Sequence, residues 1–381
     1  MQACRVLQRS FFREGDVVLL KSLEKNSRTS YLTARLSADG PALQTRSGLV
    51  NLTALIGESV RKVVYSANGK EKFLATLPSY LQYVIHRTRD AQPIYALDAA
   101  ALVALTDLHV DDRDADQVHV LEAGTGHGAL TISIAQVLHS ANANLPVDAK
   151  RNALLHSMDI KPKHLKTGKA NLRAFRNGLY EHDVSFTCNT PSQFLAENKT
   201  MLLDAVFFDM ASPEDEVGSV AQHLKTNAPV AFFLPSVTQI LPILDAVIEN
   251  HVPLEYEQVV EFSPGMKGNL RAWKVKRAVL KNPKPDADAA SSCNEVVKWV
   301  CRPEVGELTT GGGFVLIMRK KLIVSKQETD EEKDEKEEEK EPPQKQENKT
   351  AKPVDEGTFI SKLIHRFFGP HRKNKLKKTN L

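Results

Sequence analysis

Between residues 11 and 75 the apolar positions come in short runs broken by turn residues. The runs Val17-Val18-Leu19-Leu20, Tyr31-Leu32-Thr33-Ala34-Arg35-Leu36 and Val63-Val64-Tyr65 are separated by Asp39-Gly40-Pro41 and Asn68-Gly69. Such runs between breakers predict strands, and here a small β-barrel-like module. Near residue 77 the period changes. Leu77, Tyr80, Leu81, Val84 and Ile85 recur at helical spacing, and a second helix is expected over roughly 98–109. From 117 to 265 strands and helices alternate. Strands are expected at 117–122, 153–159, 184–188, 203–209, 228–234 and 254–262, and helices at 128–139, 162–177, 215–225 and 236–250. That alternation predicts a parallel sheet covered on both faces. Residues 281–310 read as loop, and a last strand, Phe314-Val315-Leu316-Ile317-Met318, follows Gly311-Gly312-Gly313.

Beyond 325 the pattern collapses into Glu and Lys, a composition that cannot bury enough apolar surface to order itself. After it, Phe359-Ile360, Leu363-Ile364 and Phe367-Phe368 recur every four residues, the mark of an amphipathic helix that could dock a partner or a membrane surface. Arg372, Lys373, Lys375, Lys377 and Lys378 follow. The expected organisation is a leader over 1–10, a β-rich module over 11–75, an α/β domain over 76–325, a charged linker over 326–357, and a helix with a basic tail over 358–381.

Composition narrows the class. The formal net charge of +4 on 381 residues says little about partners. Cys4, Cys188, Cys293 and Cys301 are scattered with no C-x-x-C pair, which argues against a disulfide framework and a structural zinc site, and no metal is expected. No apolar run approaches the ~18 residues that span a bilayer. Arg5, Arg9 and Arg13 without an acid resemble the start of a mitochondrial transit peptide; a short unstructured leader is the alternative.

The central motif is Val120-Leu121-Glu122-Ala123-Gly124-Thr125-Gly126-His127-Gly128, where the first parallel strand gives way to a helix. Glycines there permit positive φ and close approach of a ligand to the backbone, and ligands of open α/β sheets bind at the carboxyl ends of the strands. Gly124-x-Gly126-x-x-Ala129 also satisfies a loose dinucleotide fingerprint. Glu122 favours S-adenosylmethionine, because an acid suits its cationic amino group and repels a pyrophosphate. So does the layout, a sheet that starts late, after a β-rich module, and ends in a Gly-rich turn to a last strand. Asp159, closing the second strand, is positioned to accept from both ribose hydroxyls; Asn189, past the third, lies near the adenine or simply shapes a turn.

Several segments together resemble the catalytic subunit of the tRNA adenine-N1 methyltransferases that modify the T-loop. These are Phe12-Arg13-Glu14-Gly15-Asp16, Leu52-Thr53-Ala54-Leu55-Ile56-Gly57, Ile94-Tyr95-Ala96-Leu97-Asp98, the Glu122–Gly128 loop, Asp209-Met210-Ala211-Ser212-Pro213 and Phe233-Leu234-Pro235-Ser236-Val237-Thr238-Gln239. The resemblance implies a Rossmann-like, seven-stranded class I methyltransferase sheet with a reversed final strand behind a β-rich N-terminal module. It implies a tetramer, either of one chain or with a related non-catalytic subunit, and active-site roles for Asp209 and Tyr95. The expected cofactor contacts are Glu122, Gly124, Thr125, Gly126, Gly128, Asp159, Asn189 and Asp209. His127 stands where that family usually has serine, Glu214 where tryptophan usually follows the proline, and Asp159 where glutamate is usual. These departures suggest a diverged paralogue. For RNA, the basic residues Lys161, Lys163, Lys166, Lys169, Arg173 and Arg176 are candidates, with Lys267, Arg271, Lys274, Lys276 and Arg277. A non-catalytic RNA-binding subunit, a methyltransferase acting on rRNA, mRNA, protein or a small molecule, and a nicotinamide-dependent oxidoreductase are the competing classes.

Overall fold

The computed structural model describes residues 9–322 apart from 26, 28, 88, 111–115, 263–272, 281–295 and 304–311. Residues 1–8 of the expected leader, the charged linker, the C-terminal helix, the basic tail, Lys267 and Arg271 lie outside the described residues.

In the N-terminal module, β1 (Val17–Ser22), β2 (Ser30–Arg35), β5 (Val63–Tyr65) and β6 (Lys72–Thr76) form one antiparallel sheet in the order β2-β1-β6-β5. β3 (Leu43–Thr45) and β4 (Gly48–Val50) make a separate hairpin. The module is therefore an open sheet with a hairpin beside it, not the single barrel-like sheet the spacing suggests. Alternation along β1 explains its burial on both faces. Val18 and Leu20 join Phe12, Leu36, Leu55 and Phe73 in the module's core, while Val17 packs with Tyr83 in the core of the α/β domain. Asn177 secures the joint, accepting from Arg35 at 2.8 Å and donating to the Glu14 carbonyl at 3.1 Å.

The α/β domain follows the expected alternation closely. α1 (Tyr80–His86) opens on a capping box, Ser79 accepting from the Gln82 N–H and the Gln82 side chain from the Ser79 N–H. Then come α2 (Ala96–Leu105), β7 (Val118–Ala123), α3 (Ala129–Asn142), β8 (Ala153–Met158), α4 (Pro162–Ala174), β9 (Val184–Thr187), α5 (Pro191–Glu197), β10 (Ala205–Phe208), α6 (Val217–Gln222), β11 (Pro229–Leu234), α7 (Ile240–Glu249), β12 (Leu254–Phe262), β13 (Trp273–Leu280), β14 (Val296–Pro303) and β15 (Gly313–Lys320). The large sheet has the order β12-β15-β11-β10-β7-β8-β9, with β15 antiparallel to both neighbours. Strand order reverses between β7 and β10, which makes their carboxyl ends the switch point of the sheet.

Two helical layers cover the sheet because its strands are apolar on both faces. Val120, Ala205 and Phe207 face the layer of α2, α3 and α4. Leu121, Val206, Phe208 and Phe232 face α5, α6 and α7. Each fully buried Leu or Phe of this kind contributes about 1.5–3 kcal/mol. Some boundaries differ from the sequence pattern. The helix expected to reach 177 stops at Ala174, because Arg176 and Asn177 take left-handed φ/ψ. The one expected over 215–225 shortens to α6, behind a 3-10 turn at Pro213–Asp215. The stretch read as loop over 281–310 contains β14, which pairs antiparallel with β13. Alternation of Lys with Val in Trp273-Lys274-Val275-Lys276 marks that strand.

Candidate active site

The site begins where β7 and β10, paired through Phe207↔Glu122 and Phe208↔Ala123, run out side by side. Gly124 has φ +104°, and a Cβ there would lie 2.0 Å from the Asp209 carbonyl oxygen. Only glycine lets the two chain exits cross, and the Asp209 N–H donates to the Ala123 carbonyl at 2.8 Å. Gly128, φ +82°, has a different reason: a Cβ would lie 2.9 Å from the Gly168 Cα, so this glycine seats α3 against α4.

Beyond these exits opens a cleft of about 250 Å³. Gly124, Gly126, Asp159, Asn189 and Asp209 line it, five of the residues that the motifs single out. Gln92, Met158, Ile160, His164, Pro191 and Met210 line it too and carry no such signal. Asp159 is fixed by its surroundings. Its Oδ2 accepts from the Gly126 N–H at 3.0 Å and its Oδ1 from the Lys161 N–H at 2.8 Å, with His164 Nδ1 3.4 Å from Oδ2. Pro191 is placed by the capping box at the start of α5, Thr190 to Gln193, a signal present in the sequence but not used above.

Four expected site residues stand behind the cleft wall. Thr125 turns its hydroxyl to Ser157, 2.7 Å away, and contributes to the loop through its backbone. Gly128 packs on Gly168, as above. Tyr95 is 2% exposed, and its hydroxyl meets Gln92 Nε2 at 3.4 Å with the Arg89 guanidinium 5.7 Å from the ring centroid. It therefore touches the cleft only through Gln92. Glu122 is completely buried on the α3 side of the sheet. Its Oε2 accepts from Thr131 at 2.7 Å and Ser157 at 2.6 Å, and its Oε1 has no partner among the described residues.

The electrostatics follow from this layout. Burial, then the hydroxyl bonds and the nearby charges of Asp209 and Asp159, leave the Glu122 carboxyl pushed up to about 8. Burial first and the Asp159 charge second push Asp209 up to about 7. No protein hydrogen bond among the described residues relieves the Asp209 carboxylate. Three acids thus surround the loop, two of them short of positive partners. Such a field attracts a cation and repels a pyrophosphate. His127, beside them, is buried with both ring nitrogens unpartnered, and burial holds its pKa down to about 4, so the ring is neutral.

The TrmI tRNA (adenine(58)-N(1))-methyltransferases of two Thermus thermophilus strains are each 30% identical to this chain over 241 residues, covering 63% of it and 82% of the relative. The chain belongs to the tRNA (adenine-N1)-methyltransferase family. No protein-family model matches it. Among solved structures, a SAM-dependent O-methyltransferase from Thermotoga maritima superimposes with a TM-score of 0.56 at 17% identity, over 83% of this chain and 97% of that one. The tRNA (m1A58) methyltransferase TrmI from Aquifex aeolicus gives 0.51 at 19% identity, over 82% and 100%. At those identities the structures establish the fold alone, the seven-stranded methyltransferase sheet. In this chain Asp209, Gly124 and Gly126 line the cleft, whereas Tyr95 and Glu122 stand behind it.

Proposed function

We propose that the protein transfers a methyl group from S-adenosylmethionine to N1 of an adenine in tRNA, the T-loop adenine at position 58. Family membership supports the substrate class. One observation carries the chemistry: Asp209 presents a carboxylate without a hydrogen-bond partner among the described residues, at the end of β10 beside the glycine loop.

The residues present fit the donor. Its sulfonium and ammonium charges match the acid-rich loop, and the Glu122 carboxyl, with Oε1 unbonded among the described residues, gives a bound cation an acid to ionise beneath it. Gly124 and Gly126 would hold its amino-acid end, Asp159 its ribose hydroxyls and Asn189 its adenine. When bound, the donor supplies an already activated methyl group. The protein's task is then alignment and charge stabilisation. Adenine N1 carries a lone pair and needs no base. Ionised Asp209 accepts a hydrogen bond from the exocyclic amine, which fixes the ring in line and stabilises the positive charge that grows on it. In folded tRNA the base must leave its stack to reach the cleft.

The test is methyl transfer from labelled donor to total tRNA, rRNA and protein, followed by mapping reverse-transcription stops. Label in tRNA with a stop at the T-loop adenine is the expected result. Label only in protein, or binding of NAD in preference to the methyl donor, would remove the reading. The tetramer and the mitochondrial compartment belong to the same proposal. They rest on the family resemblance and on the arginines of the N-terminal segment, and are checked by sedimentation and by imaging the tagged full chain.

A further inference from the structure

The β5–β6 hairpin forms one edge of the N-terminal sheet, since among the described residues β5 pairs with β6 alone. Its two faces differ. Val64 and Phe73 oppose each other on the inner face, Phe73 fully buried in the module's core. On the outer face Tyr65 opposes Lys72 and Val63 opposes Leu74. Tyr65 is 56% exposed, and the Lys72 ammonium lies 5.8 Å from its ring centroid. The neighbouring β3–β4 hairpin is tied on by the Ala67 N–H, which donates to the Leu49 carbonyl at 2.7 Å, and its turn carries exposed Arg46.

The exposed charges on the β5–β6 hairpin are all positive: Arg61, Lys62, Lys70 and Lys72. Of the two acids between residues 40 and 72, Glu58 is bonded to Lys62 at 2.9 Å and Glu71 is buried. An exposed aromatic ring flanked by cations is the chemistry that holds an unpaired nucleotide. The ring stacks on a base and the cations meet the phosphates. A protein partner fits less well, because lysine is depleted from the cores of protein interfaces.

We propose that the outer face of the β5–β6 hairpin is an RNA-binding surface separate from the cleft, with Tyr65 stacking on an unpaired base and Lys70, Lys72 and Arg61 contacting phosphates. The proposal rests on the tRNA reading above. It adds a second anchor, which lets the enzyme hold the folded substrate while the target base enters the cleft.

The test uses the full chain with S-adenosylhomocysteine, reading equilibrium affinity for an unmodified tRNA transcript over a range of salt. Tyr65→Ala is expected to weaken binding roughly tenfold while Tyr65→Phe, which keeps the ring, stays near wild type. Lys70→Glu combined with Lys72→Glu is expected to weaken it further and to lower the slope of log affinity against log salt by about 2. In turnover, KM for tRNA rises and kcat holds. Affinity for S-adenosylhomocysteine is unchanged throughout. Wild-type RNA affinity and salt slope in Tyr65→Ala and the charge variant would overturn the proposal. So would a change in sedimentation with no change in RNA binding, the signature of a protein interface. Binding is read without turnover. A protein that holds tRNA through Tyr65 but methylates no adenine would therefore sink the function proposed above and leave this surface standing.

Discussion

The two ends of the large sheet differ in how they partner their acids. At the amino ends of the strands, acids are paired. Asp183, next to β9, meets His139 Nδ1 at 2.6 Å and Asn142 Nδ2 at 2.9 Å, and Asp204, next to β10, meets Lys225 Nζ at 2.6 Å and the His119 N–H at 2.8 Å. His119 and His156 share a bond of 3.0 Å, and burial holds both below the ordinary histidine value. At the carboxyl ends Asp159 is held by the Gly126 and Lys161 N–H groups, but among the described residues Asp209 has no protein hydrogen bond and Glu122 keeps one oxygen unbonded. An unpaired acid in low dielectric costs stability, whereas a paired and hydrogen-bonded one does not. The contrast separates acids that hold the fold from acids kept for a ligand.

The largest effect should come from breaking the unpaired end. Asp209→Asn keeps the shape but loses the ionised acceptor. Methyl transfer in a single turnover should fall by about 10²–10³, the usual consequence of deleting one charge-stabilising group, while the melting temperature stays level or rises. Activity within threefold of wild type would exclude the hydrogen bond to the exocyclic amine. At the other end the signs swap. Asp183→Ala strips the partner from His139 and Asn142 and should cost about 3 kcal/mol in denaturant unfolding. Its activity per folded molecule should not change. A lost activity with unchanged stability would make Asp183 part of the site.

Glu122 tests the comparison more finely. Its carboxyl titrates near 8 in the folded chain against about 4.3 when exposed. Below the lower value the group is neutral in both states and has no effect. Between the two values the unfolded chain gives up its proton more readily, so stability drains away as pH rises and levels off above 8. Glu122→Gln removes that loss. The variant should be more stable than wild type by about 4–5 kcal/mol at pH 8 and equal to it near pH 4, read from melts across that range. Equal curves at both pH values would mean that Glu122 is better compensated than its unbonded Oε1 suggests.

Much of this was legible in the sequence. The strands from β7 to β11 fall within a residue or two of their apolar runs, because a parallel strand buried on both faces leaves an unbroken signature. The glycine loop and Asp159 are legible because each sits at a strand's carboxyl end, and Asp209 through the resemblance carried by Asp209–Pro213. What escaped depends on distant parts of the chain meeting. Gln92 reaches the cleft from the connection between α1 and α2, and nothing local in Ala91-Gln92-Pro93 announces that. Glu122 and Thr125 were assigned to the ligand by position. Strand alternation turns Glu122 to the α3 side, and Ser157 on β8 captures the Thr125 hydroxyl. Tyr95 was placed by resemblance, and its burial follows from its position as the cap of α2.

The smallest effect tests whether the acids at the carboxyl ends feel one another. Asp209 must be ionised to accept from the amine, and burial sets its pKa near 7 in the free protein, with the Asp159 charge as the second cause. Carboxylate NMR of the free protein should therefore show Asp209 titrating near 7. Asp159→Asn should lower that value by a few tenths, because one repelling charge is gone while the burial remains. A cationic donor in the cleft acts in the same direction. The acid limb of the single-turnover rate should then lie below pH 7, with activity rising through it as Asp209 loses its proton. If Asp159→Asn leaves the Asp209 titration where it was, the two acids do not share a field. Burial alone would then account for the difference between the ends of the sheet.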